Sequence, residues 1–124
     1  MAEKTVLIAE DDVLIGKAYE DGLSAMGYTI YRAVNGKEAL EMLVKNKPRV
    51  LLLDLRMPEK DGFQVLEEMN SQGLFATTAV IVTSNFDQES DVARCKKLGA
   101  KEYLVKANSS ITDVAAAIEK YLAA

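Results

Sequence analysis

Two stretches of this chain are apolar without interruption, and each ends on acid. Thr5-Val6-Leu7-Ile8-Ala9 runs into Glu10-Asp11-Asp12, and Arg49-Val50-Leu51-Leu52-Leu53 runs into Asp54. Runs of branched residues without polar alternation predict strands buried on both faces of a parallel sheet. Five strands are predicted in all, over residues 6–9, 29–33, 50–53, 79–83 and 102–105. Helical periodicity fills the intervals. Ile15, Ala18, Tyr19, Gly22, Leu23 and Met26 share one helical face, and Gly27 closes that helix. Asn35 begins a second helix as a cap with Glu38 at the third helical position, and Ala39, Leu40 and Leu43 form its buried stripe. Asp61-Gly62 is a turn ahead of a third helix carrying Phe63, Leu66 and Met69. Val92, Cys95 and Leu98 mark a fourth, closed by Gly99, and Cys95 reads as a small buried hydrophobe. Ser110 to Asp113 opens a fifth as a variant capping box, followed by Val114, Ala117, Ile118 and Tyr121.

Strict alternation with short connections implies parallel pairing through right-handed crossovers, with helices on both faces of the sheet. The expected fold is an α/β three-layer sandwich. Its 124 residues suit one domain, 1–124, with no linker, repeat or output domain.

Ligands of open parallel sheets gather at the carboxyl ends of the strands. Glu10, Asp11 and Asp54 would meet there, and like charges so close are costly unless a cation joins them. The first expectation is therefore a hard-metal site with Asp54 at its edge. Thr83 ends the fourth strand and Lys106 follows the fifth, so a hydroxyl and an ammonium share that rim. A carboxylate nucleophile, an acidic pair, a hydroxyl and a fixed cation are what phosphoryl transfer to a carboxylate requires. Glu10, Asp11 and Asp54 carry −3, and Mg²⁺ with Lys106 restores neutrality. Mg²⁺ keeps several waters and takes few protein ligands, which fits so sparse a cage. Taken singly, each residue has an ordinary explanation: a helix cap, an acidic first turn, a β-branched strand position or a solubilising strand end. Their coincidence at one rim is what points to chemistry.

Composition narrows the alternatives. Fifteen basic against nineteen acidic residues give −4, with no basic patch, which disfavours nucleic-acid binding. Histidine is absent and cysteine occurs once. Ser-His-Asp catalysis, Cys/His zinc sites and an internal disulfide are thereby excluded. No signal peptide and no apolar run of membrane-spanning length is present, so the expectation is a cytoplasmic chain without a membrane partner.

In Val6-Leu7-Ile8-Ala9-Glu10-Asp11-Asp12, Leu51-Leu52-Leu53-Asp54-Leu55-Arg56-Met57-Pro58, Asp61-Gly62, Val80-Ile81-Val82-Thr83-Ser84 and Gly99-Ala100-Lys101-Glu102-Tyr103-Leu104-Val105-Lys106, the sequence resembles the receiver domain of two-component response regulators. The resemblance covers nearly the whole chain. It implies a flavodoxin-like (βα)5 domain with strand order 2-1-3-4-5. Such a domain takes a phosphoryl group from phosphohistidine with Mg²⁺, for which Mn²⁺ can substitute, and catalyses only its own phosphorylation and dephosphorylation.

By position, Asp54 resembles the phospho-acceptor and Asp11 the direct metal carboxylate. Glu10 resembles the acid that acts through metal-bound water, and the Arg56 carbonyl the third protein ligand. Lys106 and Thr83 would hold phosphoryl oxygens, Thr83 and Tyr103 would form the switch, and Asp12 would lie outside the metal's ligands. Arg56 and Asn85 occupy the positions that tune the lifetime of the phosphorylated state. The implied partners are a sensor histidine kinase or histidine phosphotransfer protein, docking near Leu14 and Ala18, and a downstream protein. A weak dimer through the fourth helix, fifth strand and fifth helix is the family's other output, beside the monomer. One departure stands out. Ala107 follows Lys106, where the family usually has a cis proline. A non-proline cis bond costs about 2.5–4 kcal/mol, so the bond is trans or the fold supplies that strain. Two rivals remain at this stage. One is a pseudo-receiver that binds without being phosphorylated. The other is a haloacid-dehalogenase-type phosphatase, against which stand Arg56 in place of a second aspartate and the early acidic pair.

Overall fold

A computed structural model describes residues 4–85 and 89–122. Its strands are β1 (Thr5–Ala9), β2 (Thr29–Ala33), β3 (Val50–Asp54), β4 (Ala79–Ser84) and β5 (Glu102–Val105). They alternate with α1 (Val13–Ala25), α2 (Gly36–Asn46), α3 (Gly62–Gln72), α4 (Glu89–Leu98) and α5 (Ile111–Leu122). All strand pairs are parallel, in the order β2-β1-β3-β4-β5. This is the flavodoxin-like arrangement that the resemblance implied, with the parallel pairing that the alternation required. Short 3₁₀ turns over Leu74–Ala76 and Lys106–Asn108 were not expected from the sequence. No helix among the described residues is long and apolar enough to cross a membrane.

The sheet separates two cores. Leu7, Leu51, Leu53, Val80 and Val82 pack with α2, α3 and α4, where Cys95 is fully buried. Val6, Ile8, Val50, Leu52 and Ile81 pack with α1 and α5. Neighbouring residues of one strand thus serve opposite faces, as the two-residue period of a strand requires. Extending that count places Glu10 after Ile8, Asp54 after Leu52, Thr83 after Ile81 and Lys106 after Leu104, all with the parity of the α1/α5 face.

The helix starts follow the local chemistry. Asp12 caps α1, accepting from the backbone N–H of Leu14 at 3.0 Å and of Ile15 at 3.1 Å. Asn35 caps α2, accepting from the Glu38 N–H at 2.8 Å. Asp61 and Gln64 form a reciprocal capping box on α3, as Ser110 and Asp113 do on α5. The first helix departs from its expected stripe. Met26 is 43% exposed and Ala18 is exposed, whereas Gly16 and Leu23 are buried. The reason is Arg32 on β2, whose guanidinium lies so close that a Cβ on Gly16 would stand 2.3 Å from Nη2. The helix turns its bare backbone toward that group, and Met26 falls beyond its last turn as the C-cap.

Gly62 fixes how the chain leaves Asp54. Its N–H donates to the Leu55 carbonyl at 2.8 Å, and an added Cβ would sit 2.8 Å from the Asp54 carbonyl oxygen. It would also stand 2.8 Å from the Leu55 Cα, and these two obstacles are backbone and cannot swing aside. Gly62→Ala is expected to cost about 2–3 kcal/mol in denaturant unfolding. An unchanged midpoint would mean that the turn relaxes freely.

Candidate functional site

The carboxyl ends of β1 and β3 bring together Glu10, Asp11 and Asp54, with one carboxylate oxygen of each within 4.8 Å of the others. Glu10 is 2% and Asp54 6% exposed, whereas Asp11 lies on the solvent side. Two unit charges at that spacing repel by about 3 kcal/mol at an effective dielectric of 20. Lys106 offsets part of this. Its ammonium donates to Glu10 Oε1 and stands 3.4 Å from Asp54 Oδ1, with 11% of the side chain exposed. Two backbone donors complete the frame. Asp12 N–H reaches Glu10 Oε2 at 3.2 Å, and Arg56 N–H reaches Asp54 Oδ1 at 3.4 Å.

Burial pushes the Asp54 carboxyl up to about 7, compounded by the charge of Glu10, against the pull of Lys106 and the Arg56 amide. At Lys106, burial opposes the charged form, yet the Glu10 hydrogen bond and the charges of Asp54 and Glu10 hold its pKa above the ordinary value. The cluster retains −2 after Lys106 is counted. Hard oxygen donors with excess negative charge and one side open to water are a suitable seat for a hydrated divalent cation.

A stability consequence follows for protein kept metal-free. A carboxyl raised in the folded state contributes stability that is fully present below its unfolded value, 3.8, and is lost as pH rises through about 7. Asp54→Asn lacks that loss. Relative to wild type, the variant should gain about 4 kcal/mol between pH 4 and about pH 8 in chelator. Urea titrations at both pH values check this, and a pH-independent difference would contradict it.

Thr83 is buried and paired in register with Asp54 across β3 and β4. Arg56 and Asn85 are exposed beside the rim. Tyr103 is half-buried in β5 against the α2–α4 core, so it lies on the other face from the parity shared by Thr83 and Lys106. Among the described residues no peptide bond is cis, so Lys106–Ala107 is trans and Lys106 opens the 3₁₀ turn. Asp12 is exposed and serves as a cap. Leu14, 80% exposed, and Ala18 are accessible on α1.

One neighbour of the cluster was not singled out from the sequence. Tyr19 on α1 is half-buried, and burial raises its pKa while Lys106 lowers it and Glu10 and Asp54 raise it. A tyrosine on the stripe facing the α1/α5 side was the available signal.

Comparison with known proteins agrees with this geometry. Residues 6–119 match the family described as response regulator receiver domain. The transcriptional regulatory protein PdtaR of Mycobacterium tuberculosis is 37% identical over 117 residues, covering 94% of this chain and 55% of that protein. The polar-differentiation response regulator DivK of Brucella anthropi is 31% identical over 103 residues, covering 83% of this chain and 84% of that one. The chain therefore spans about half of the first relative and most of the second. Among solved structures, the receiver domain of the Francisella response regulator 1452 superposes with a TM-score of 0.91 at 28% identity, covering 98% of each chain.

Proposed function

The chain belongs to the response-regulator receiver-domain family, and from that premise we propose that Asp54 accepts a phosphoryl group in a Mg²⁺-dependent reaction. The observation that carries the proposal is the buried Glu10–Lys106–Asp54 arrangement with Asp11 open to solvent beside it. Receiver domains partner with histidine kinases, and the donor proposed here is a phosphohistidine on a kinase or phosphotransfer protein docking across α1 near Leu14 and Ala18.

Asp11, Asp54 and the Arg56 carbonyl would hold the metal directly, with Glu10 acting through its water. When bound, Mg²⁺ supplies positive charge to the phosphoryl oxygens. The protein does the rest. An Asp54 oxygen attacks phosphorus in line, and Lys106 neutralises charge on one equatorial oxygen. The Thr83 hydroxyl, one strand away in register, donates to another. Drawing Thr83 toward the phosphoryl group would shift the end of β4, whose Val82 is paired in register with Tyr103, and the repacking of Tyr103 on β5 would bias the α4–β5–α5 surface read by a downstream protein or a second copy. Coupling of this kind is typically 1–3 kcal/mol. Arg56 and Asn85, exposed at the rim, would govern how readily water reaches the acyl phosphate.

Incubation with acetyl phosphate tests the proposal. Intact-mass measurement should find one phosphoryl group gained with Mg²⁺ and none in chelator. Absence of uptake in both would leave the chain as a binding module only.

A further inference from the structure

A cavity of about 530 Å³ opens from the outer edge of the acidic cluster toward α4. Asp11, Met57 and Phe63 line it, Asp61 and Asp91 add carboxylates, and Arg56 is the one lining cation among the described residues. In an in-line transfer the leaving group departs opposite the attacking oxygen, into space the protein does not fill. On the Glu10 side of Asp54 that space is taken by Lys106. The cavity over the Leu55–Met57 segment is open.

The charges around the cavity are not equally available. Arg94 is engaged with the Phe63 ring, 4.0 Å from its centroid, and with Glu67 at 3.7 Å. Asp61 accepts the Gln64 N–H in its capping box. Asp91 makes no ion pair among the described residues. Asp61 is held in its cap and Asp11 is assigned to the metal, which leaves the half-buried carboxylate of Asp91 to act on an occupant.

We infer that this cavity seats the leaving group of the phosphodonor, and that Asp91 is a specificity-determining residue favouring donors that leave as nitrogen bases over donors that leave as anions. The inference rests on the phospho-acceptor reading above. The chemistry balances for each donor class. With phosphoramidate, the Asp54 oxygen bonds to phosphorus, the P–N bond breaks, and its electron pair returns to a nitrogen already carrying three protons, which leaves as ammonia. A phosphohistidine protonated on its second ring nitrogen leaves likewise as neutral imidazole. With acetyl phosphate, the P–O bond breaks and acetate departs as an anion facing Asp91. A donor whose nitrogen end is cationic is attracted before transfer, and a carboxylate leaving group is repelled during it. One carboxylate in a solvent-lined cleft changes such a preference by about two- to fivefold at low salt.

The experiment compares initial labelling rates with phosphoramidate and with acetyl phosphate, in Mg²⁺ and low salt, for wild type, Asp91→Asn and Asp91→Lys. The ratio of the phosphoramidate rate to the acetyl phosphate rate should fall about threefold in Asp91→Asn and further in Asp91→Lys, with high salt shrinking both effects. An unchanged ratio in both variants would overturn the inference, including when both rates fall together because α4 has shifted. Labelling of wild type by neither donor would overturn the phospho-acceptor reading and this inference with it, an outcome distinct from uptake without discrimination.

Discussion

Asp54→Asn is expected to take up no phosphoryl group from acetyl phosphate or phosphoramidate under conditions that label wild type completely. The amide keeps the size of the carboxylate and can still accept from the Arg56 N–H, so the pocket stays formed. What it loses is the anionic oxygen that attacks phosphorus. No other carboxylate substitutes. Glu10 is held by Lys106 and the Asp12 amide, and Asp11 lies outward at the solvent edge. Intact-mass measurement checks this, and labelling above a tenth of the wild-type rate would remove Asp54 from its role. Loss of uptake through unfolding is guarded against by the same variant's stability. Relieved of its repulsion with Glu10, it should be at least as stable as wild type near neutral pH in chelator.

Lys106→Ala should have the second-largest effect, on stability and rate together. The ammonium is the positive charge between two buried carboxylates, and its removal leaves both without that partner. Removing one member of a buried ion pair typically costs 3–5 kcal/mol, and two features moderate it here: Asp11 opens to water and Asp54 can take up a proton. A loss of about 3 kcal/mol is expected in chelator near neutral pH. It should shrink as pH falls and Asp54 is neutralised, and shrink again when Mg²⁺ is added. The labelling rate with Mg²⁺ should drop about 100-fold, the usual scale for losing one preorganised donor to transferring charge. Urea titrations across pH and initial labelling rates are the measurements. A loss below 0.5 kcal/mol would mean that Lys106 is not the counter-charge of this pocket.

Much of this was legible in the chain because the site is a product of strand arithmetic. Apolar runs that stop on acid specify both the buried strands and the rim where Glu10 and Asp54 emerge. Thr83 and Lys106 were placed at the same rim by the same reasoning. The alternation adds what the notion of a shared rim left out, since all four follow residues of the α1/α5 core. Less legible was whatever depends on how helices roll. Ala18 and Met26 fit a helical stripe, but the Arg32 guanidinium against Gly16 turns α1 so that neither is buried. Helical periodicity contains no record of a cation arriving from β2. The cavity lining was hidden for a similar reason. Asp61 reads as a turn residue and nothing in the helical pattern singles out Asp91, and only the packing of α3 beside α4 brings them to one space. The Lys106–Ala107 bond stood open as well. It is trans, and a 3₁₀ turn carries the chain on from Lys106.

The central claim is that strand ends separated in sequence build one metal-dependent acceptor around one oxygen. Its most direct test is to label wild-type protein with acetyl phosphate and Mg²⁺, trap the acyl phosphate by borohydride reduction, and map the reduced residue by peptide mass. Homoserine is expected at position 54 and nowhere else. Reduction at Asp11 or Glu10 instead, or a phosphoryl linkage stable to hydroxylamine, would contradict it.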